Sequence, residues 1–221
     1  MKRLFAGFVG LIALTAVAQA ETQAPVAVVE DVQGKVTGAE FMDYVVPGQV
    51  IKLGAGGMIV LGYMKSCWHE TISGIGTVIV GTEQSAVHLA DFKADKVPCD
   101  PNQSAKVGKE VGESAATVVR SLKEDKPAAP PPLMLHGTEP MIMTHERGKM
   151  VVERVDVKGE RYEVNVTPTR GKFFDFAKTK IALKPGGSYS LTLNSKYTVF
   201  VVDPNASPGA SPVIGRLVML Q

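Results

Sequence analysis

Two cysteines and one tryptophan are all that this 221-residue chain holds of those types, and aromatic side chains make up 6% of it. With so few rings to stack on bases, and charges close to balance, nucleic-acid binding is not expected. The cysteines are far apart in sequence, so a Cys-x-x-Cys redox pair is absent. There is no His-Glu-x-x-His helix for zinc and no Gly-x-Ser-x-Gly elbow. The glycine clusters at 54–57 and 74–76 lack the Lys-Ser/Thr of a phosphate loop. Carboxylates are scattered, as on a solvated surface, with no apolar setting that would raise a pKa for acid–base work. Catalysis and a bound cofactor are therefore not expected. After the first twenty residues no apolar run is long enough to cross a bilayer.

Those twenty residues are distinctive. Lys2 and Arg3 precede an uncharged run, Leu4 to Val17, that ends in Ala18-Gln19-Ala20 ahead of Glu21. A basic start, an apolar middle and a small-x-small end are the marks of a secretory signal peptide. Cleavage after Ala20 is expected, leaving a chain exported to the periplasm or beyond. Glu21, not a cysteine, follows the cut, so no lipid anchor is expected there.

Removing Lys2 and Arg3 turns 24 basic and 22 acidic residues into 22 of each. The balance is uneven along the chain. Residues 21–101 hold 5 basic and 10 acidic side chains, and residues 131–221 hold 12 and 8. Such densities bias encounter and orientation without naming a partner.

An even pair of cysteines in an exported chain reads as a disulfide, Cys67 to Cys99. Residues 21–101 form a first module of short β-branched runs fenced by glycines, from Val26–Val32 to Ala86–Leu89, which argues an all-β unit. Residues 102–132 differ. Val107, Val111, Ala115, Val118 and Leu122 share a helical face, and a Pro-Ala-Ala-Pro-Pro-Pro run then reads as a stiff linker. A wholly disordered tether is the other reading. Residues 133–221 alternate again, at Lys149–Val157, Arg161–Val166, Ser188–Leu193 and Lys196–Val202. Asn194-Ser195 reads as a hairpin turn and Val213–Leu220 as a closing strand. About seven strands in that length suit an immunoglobulin-like β-sandwich, without the Cys–Trp–Cys core of true immunoglobulin domains.

The stretch Val29 to Val36, with Gly34-Lys35-Val36, and the run Pro47-Gly-Gln-Val-Ile-Lys-Leu-Gly-Ala-Gly-Gly-Met-Ile-Val-Leu61 resemble the FecR-type periplasmic β domain. The shared pattern is a Gly-Lys-Val opening strand, a Gly-x-x-Ile-x-x-Gly step and a glycine turn into an apolar strand. Tyr63 to Ile72, the Pro98-Cys99-Asp100 corner, the proline linker and Gly215-Arg216-Leu217 resemble a group of secreted bacterial proteins. FecR-family regulators relay signals from outer-membrane receptors through a membrane helix and a cytoplasmic segment. Neither is read ahead of Val29, so the resemblance implies a fold and a compartment here.

Three constellations carry chemistry. In Cys67-Trp68-His69-Glu70, Cys67 and His69 share a strand face and could ligate a soft metal, unless Cys99 claims Cys67. Met141, Met143 and His145 would project from one strand face, and two thioethers with an imidazole suit Cu(I). The same spacing serves a core-facing strand in which methionine fills gaps. Ser85 and His88 are three apart, which on a strand points them to opposite faces.

The expected protein is mainly β: a FecR-like domain, a short helix and proline-rich linker, and an immunoglobulin-like sandwich. Its expected role is non-catalytic binding or scaffolding through contact with another envelope protein, an exposed strand edge being one mode. The rival readings are a periplasmic copper-binding protein using the Met/His face, and a protein that binds or modifies a cell-envelope polymer.

Overall fold

The computed structural model describes residues 23–102, 132–170 and 172–220. The expected signal peptide at 1–20 lies outside these residues, as does nearly all of the expected helix and linker at 102–132.

The N-terminal unit holds β1 (Ala27–Gln33), β2 (Val36–Thr37), β3 (Tyr44–Val45), β4 (Val50–Leu53), β5 (Met58–Tyr63), β6 (Trp68–Ser73), β7 (Gly76–Ile79), β8 (Ala86–His88) and β9 (Asp91–Lys96). They form two antiparallel sheets, of order β3-β1-β5-β6-β9 and β2-β4-β7-β8. Alternation explains what lies between them. Val29 on β1, Ile59, Leu61 and Tyr63 on β5, and Ile72 on β6 point inward, against Ile51, Leu53 and Val78 of the facing sheet.

The C-terminal unit holds β10 (Leu133–Gly137), β11 (Met141–Met143), β12 (Gly148–Arg154), β13 (Arg161–Val166), β14 (Phe173–Asp175), β15 (Ser188–Leu193), β16 (Lys196–Ser207) and β17 (Leu217–Met219). One sheet runs β10-β16-β15-β12-β13 and the other β14-β11-β17. β10 lies parallel to β16, and β11 parallel to β17. Leu135, Met150, Val152, Tyr189, Leu191 and Phe200 of the large sheet pack with Ile142 and Val218 of the small one.

β1 is buried on both faces, and this joins the two units. Its alternate residues Val28 and Glu30 turn away from the N-terminal core. Val28 enters a third core with Met42 and Met64, where Met141, Phe173, Ile214 and Leu217 meet it from the C-terminal unit. The small C-terminal sheet is likewise two-faced, with Ile142 and Val218 on one side and Met141 and Leu217 on the other. Four sheets therefore stack in layers with three apolar interiors.

One buried charge, Glu30, locks this seam, and a second, Arg216, braces the C-terminal segment that meets it. The β1–β5 register slips between Val29 and Asp31, so Glu30 stands at a bulge. Glu30, 7% exposed, accepts hydrogen bonds from the backbone N–H groups of Val213 and Ile214, each at 2.8 Å. These residues open a 3-10 turn, Val213–Gly215. Gly62 on β5 is required beside it, since a Cβ there would sit 2.2 Å from Glu30 Oε1 and 2.5 Å from Ile214 Cγ2. Arg216, 1% exposed, donates from Nη1 to Asp175 Oδ1 at 2.7 Å and to the Glu139 carbonyl at 2.8 Å. Its Nε donates to the Ala210 carbonyl at 2.7 Å.

The single closing strand expected over Val213–Leu220 is instead that 3-10 turn followed by the three-residue β17. The Val213 and Ile214 amides turn toward Glu30, and a Cβ on Gly215 would sit 2.8 Å from the Pro98 carbonyl. The chain becomes a strand only after the turn has docked.

Candidate functional site

The seam opens at one side into a cleft of about 340 Å3. Met42, Asp43 and Tyr44 line it from the N-terminal unit. Met143, Thr144 and His145 approach from the end of β11, and Met219 from the end of β17. Met143 and Met219 are paired positions on neighbouring parallel strands. The Leu220 N–H donates to the Met143 carbonyl at 3.1 Å, holding the two chain segments together past the last pair. Met42 takes a left-handed backbone (φ 65°) and is wholly buried, forming part of the floor. Met143 and Met219 are only partly buried and form the rim.

Two lysines face the same space, and both are engaged. Lys172 Nζ lies 2.7 Å from Asp43 Oδ1, a second bridge between the units. Lys196 Nζ lies 3.3 Å from Glu146 Oε1. The Asn194 amide donates to Glu146 Oε2 at 2.6 Å, and this bond, with Lys196, holds the Glu146 carboxyl below its usual range. The cleft thus offers uncharged thioethers and an imidazole beside cations whose charge is already matched.

The fold separates the residues that the sequence placed side by side. Cys67 bonds to Cys99, with Cα atoms 5.7 Å apart, so no thiolate remains to ligate a metal. Trp68 packs on the N-terminal core, with Lys96 Nζ 4.5 Å from its ring centroid. His69 Nε2 reaches Glu30 Oε2 at 3.2 Å, and that hydrogen bond raises the imidazole pKa. Glu70 points the other way, into the N-terminal core, where burial pushes its carboxyl pKa up while Ser85 N–H donates to it at 3.0 Å. Ser85 Oγ meets Tyr63 OH at 2.9 Å, and burial lifts that phenol to about 12. His88 is exposed on β8, so Ser85 and His88 are not brought together as a pair.

Of the Met/His trio, Met141 is sunk in the seam core at 1% exposure, opposite Leu217. Met143 and His145 reach the cleft, where Met42 and Met219 join them. Among the described residues no group of three His, Cys, Asp or Glu side chains is placed to hold a metal. The sequence reading missed Glu30, Arg216, Met42 and Met219. Arg216 did leave a signal, a lone charge inside the apolar run Val213–Leu220, whereas Glu30 is followed directly by a second acid, Asp31, and does not stand out.

A second surface feature lies on the outer face of the large C-terminal sheet. Tyr197, Val199 and Val201 alternate along β16, and Met134 of the edge strand β10 pairs with Val201. Tyr197 is 61%, Met134 40% and Val199 37% exposed. β15 separates the stripe from charged side chains on β12 and β13, where Arg161 bridges Glu153 and Glu163 and Lys149 bridges Glu163. Among the described residues no helix is long and apolar enough to cross a membrane. No protein-family model matches this chain, and neither a curated protein nor a solved structure matches it.

Proposed function

We propose that this is an exported, non-catalytic binding or scaffolding protein of the cell envelope, working through contact with another envelope protein. In this reading the first module is FecR-like, the second is immunoglobulin-like, and the leader is removed after Ala20. The observation that carries it is the Met134/Val201/Val199/Tyr197 stripe, a run of apolar side chains on a rigid sheet with an edge strand beside it. Tyrosine and methionine are enriched where proteins meet, because each gives large contact area and adapts to a partner. A disulfide and the absence of a spanning helix among the described residues are compatible with that compartment.

The test is photo-crosslinking in the envelope of the native host, with a photoreactive phenylalanine in place of Tyr197. A second variant carries it at Val50, exposed on the outer N-terminal sheet. The expected result is a discrete adduct with one envelope protein from position 197 and none from position 50. Identical adducts from both positions, or none from 197 while a known envelope complex crosslinks normally, would overturn the reading.

A further inference from the structure

We infer that the seam cleft is a binding site for a soft monovalent cation, Cu(I), held by the thioethers of Met143, Met219 and Met42 with the His145 imidazole. The inference is independent of the partner-binding role proposed above.

Register carries it. Met143 and Met219 are paired positions on adjacent parallel strands, whose backbones run about 4.8 Å apart. Each side chain has three rotatable bonds, so two sulfurs rooted that close can converge on one ion. Met42 comes to the same cleft from the N-terminal unit, and His145 follows Met143 by two residues at its rim. Thioether and imidazole donors together select Cu(I) over the harder divalent ions. Neutral sulfurs bind without releasing a proton, so no base is needed nearby. Lys172 and Lys196 would repel a cation if unmatched, but Asp43 and Glu146 hold them.

Met143 and Met219 pack against the seam core, but packing alone does not call for methionine at its open edge. Met141 and Met64 fill the seam and are fully buried, and Met42 is equally buried there but also lines the cleft floor. Met143 and Met219 stand half-buried around an open cleft, where a branched aliphatic residue would cover the same surface at lower entropic cost. The two cysteines are locked in a disulfide, so thiolates do not compete for the metal. The sequence pointed to Met141, Met143 and His145; the fold replaces Met141 with Met42 and Met219.

The experiment is anaerobic competition of the purified mature protein for Cu(I) against a chromophoric Cu(I) chelator, with the methionine methyl groups labelled for NMR. One equivalent of Cu(I) is expected to bind, moving the methyl signals of Met42, Met143 and Met219 and leaving Met134 and Met58 in place. Met143→Leu with Met219→Leu nearly conserves volume, so the fold is kept, and affinity should fall by at least about 100-fold, since even outer-shell changes cost up to that much. His145→Ala should weaken binding by about 10-fold or more. Met134→Leu is the matched control and should bind as the unmodified protein does. No retained Cu(I), unmoved methyl signals at Met143 and Met219, or an equal loss in Met134→Leu would each overturn the inference.

Discussion

Glu30 has both carboxylate oxygens committed. Oε1 accepts from Ile214, and Oε2 accepts from Val213 and lies 3.2 Å from His69. Hydrogen bonds to a charged acceptor are worth about 1.5–3 kcal/mol each, and a buried donor left without a partner costs about 1–3 kcal/mol. Glu30→Gln keeps the shape but turns one acceptor into a donor facing another donor. It should lower unfolding stability by about 1–3 kcal/mol in a urea titration. The same contact gives the protein a pH response. Glu30 raises the His69 pKa above its ordinary 6.5, so the protonated imidazole adds stability that is complete below 6.5. That stability is lost as pH rises through the folded value. His69→Gln should therefore fall short of the unmodified protein on the acid side and match it on the alkaline side. An equal deficit at both ends, by thermal unfolding across the range, would mean that the charge on His69 contributes nothing.

At the scale of elements, the disulfide closes the first sheet. Cys67 ends the turn between β5 and β6, and Cys99 follows β9, which pairs with β6. The bond fixes the sheet's outer edge and carries Cys99 into the seam core. With the partners 32 positions apart in sequence, constraint of the unfolded chain amounts to about 3–4 kcal/mol. Cys67→Ser and Cys99→Ser should each lose about that much, and the double variant little more. Additive losses by denaturant unfolding would contradict the pairing as the source. Much at this scale was legible in the sequence. Arg161–Val166 and Ser188–Leu193 alternate and are strands, and Asn194 makes the expected hairpin turn with φ 54°. An even cysteine count in a chain expected to be exported pointed to the bond. β17 was not legible as it stands, because its start is set by the Glu30 contact with Val213, 183 residues away in sequence.

The whole molecule departs most from what the sequence suggests. The sequence reads as two β modules, each with a core of its own, on either side of an expected helix and proline-rich linker. The described residues instead share a core, drawn from positions as distant as Val28, Met141 and Leu217. No local pattern announces such a core, since each strand facing it also faces a core of its own unit. Its methionines are intelligible after the fact: five of the nine in the chain, Met42, Met64, Met141, Met143 and Met219, lie in or against it. Flexible thioether side chains fill an interface between two irregular surfaces, and at its open edge the same residues become candidate ligands.

A seam with an apolar core and a buried carboxylate pinned across it should make unfolding a single event. Calorimetry should give one transition whose calorimetric and van't Hoff enthalpies agree. The variant that discriminates is Gly62→Ala. Its Cβ meets the pinned carboxylate of Glu30 at 2.2 Å on one side and the Ile214 methyl at 2.5 Å on the other. Glu30 cannot swing clear without giving up the amides of Val213 and Ile214, so the strain falls on the contact between units. Overpacking of this kind costs about 1–3 kcal/mol. Both sandwich cores are untouched by the added methyl, so each unit retains its own packing while the coupling between them weakens. The single transition should then broaden or divide, with the calorimetric enthalpy exceeding the van't Hoff value. Two resolved transitions in the unmodified protein would show that the seam does not couple the units. A Gly62→Ala variant that unfolds at a lower temperature but still in one step would place the weakness inside the N-terminal sandwich instead.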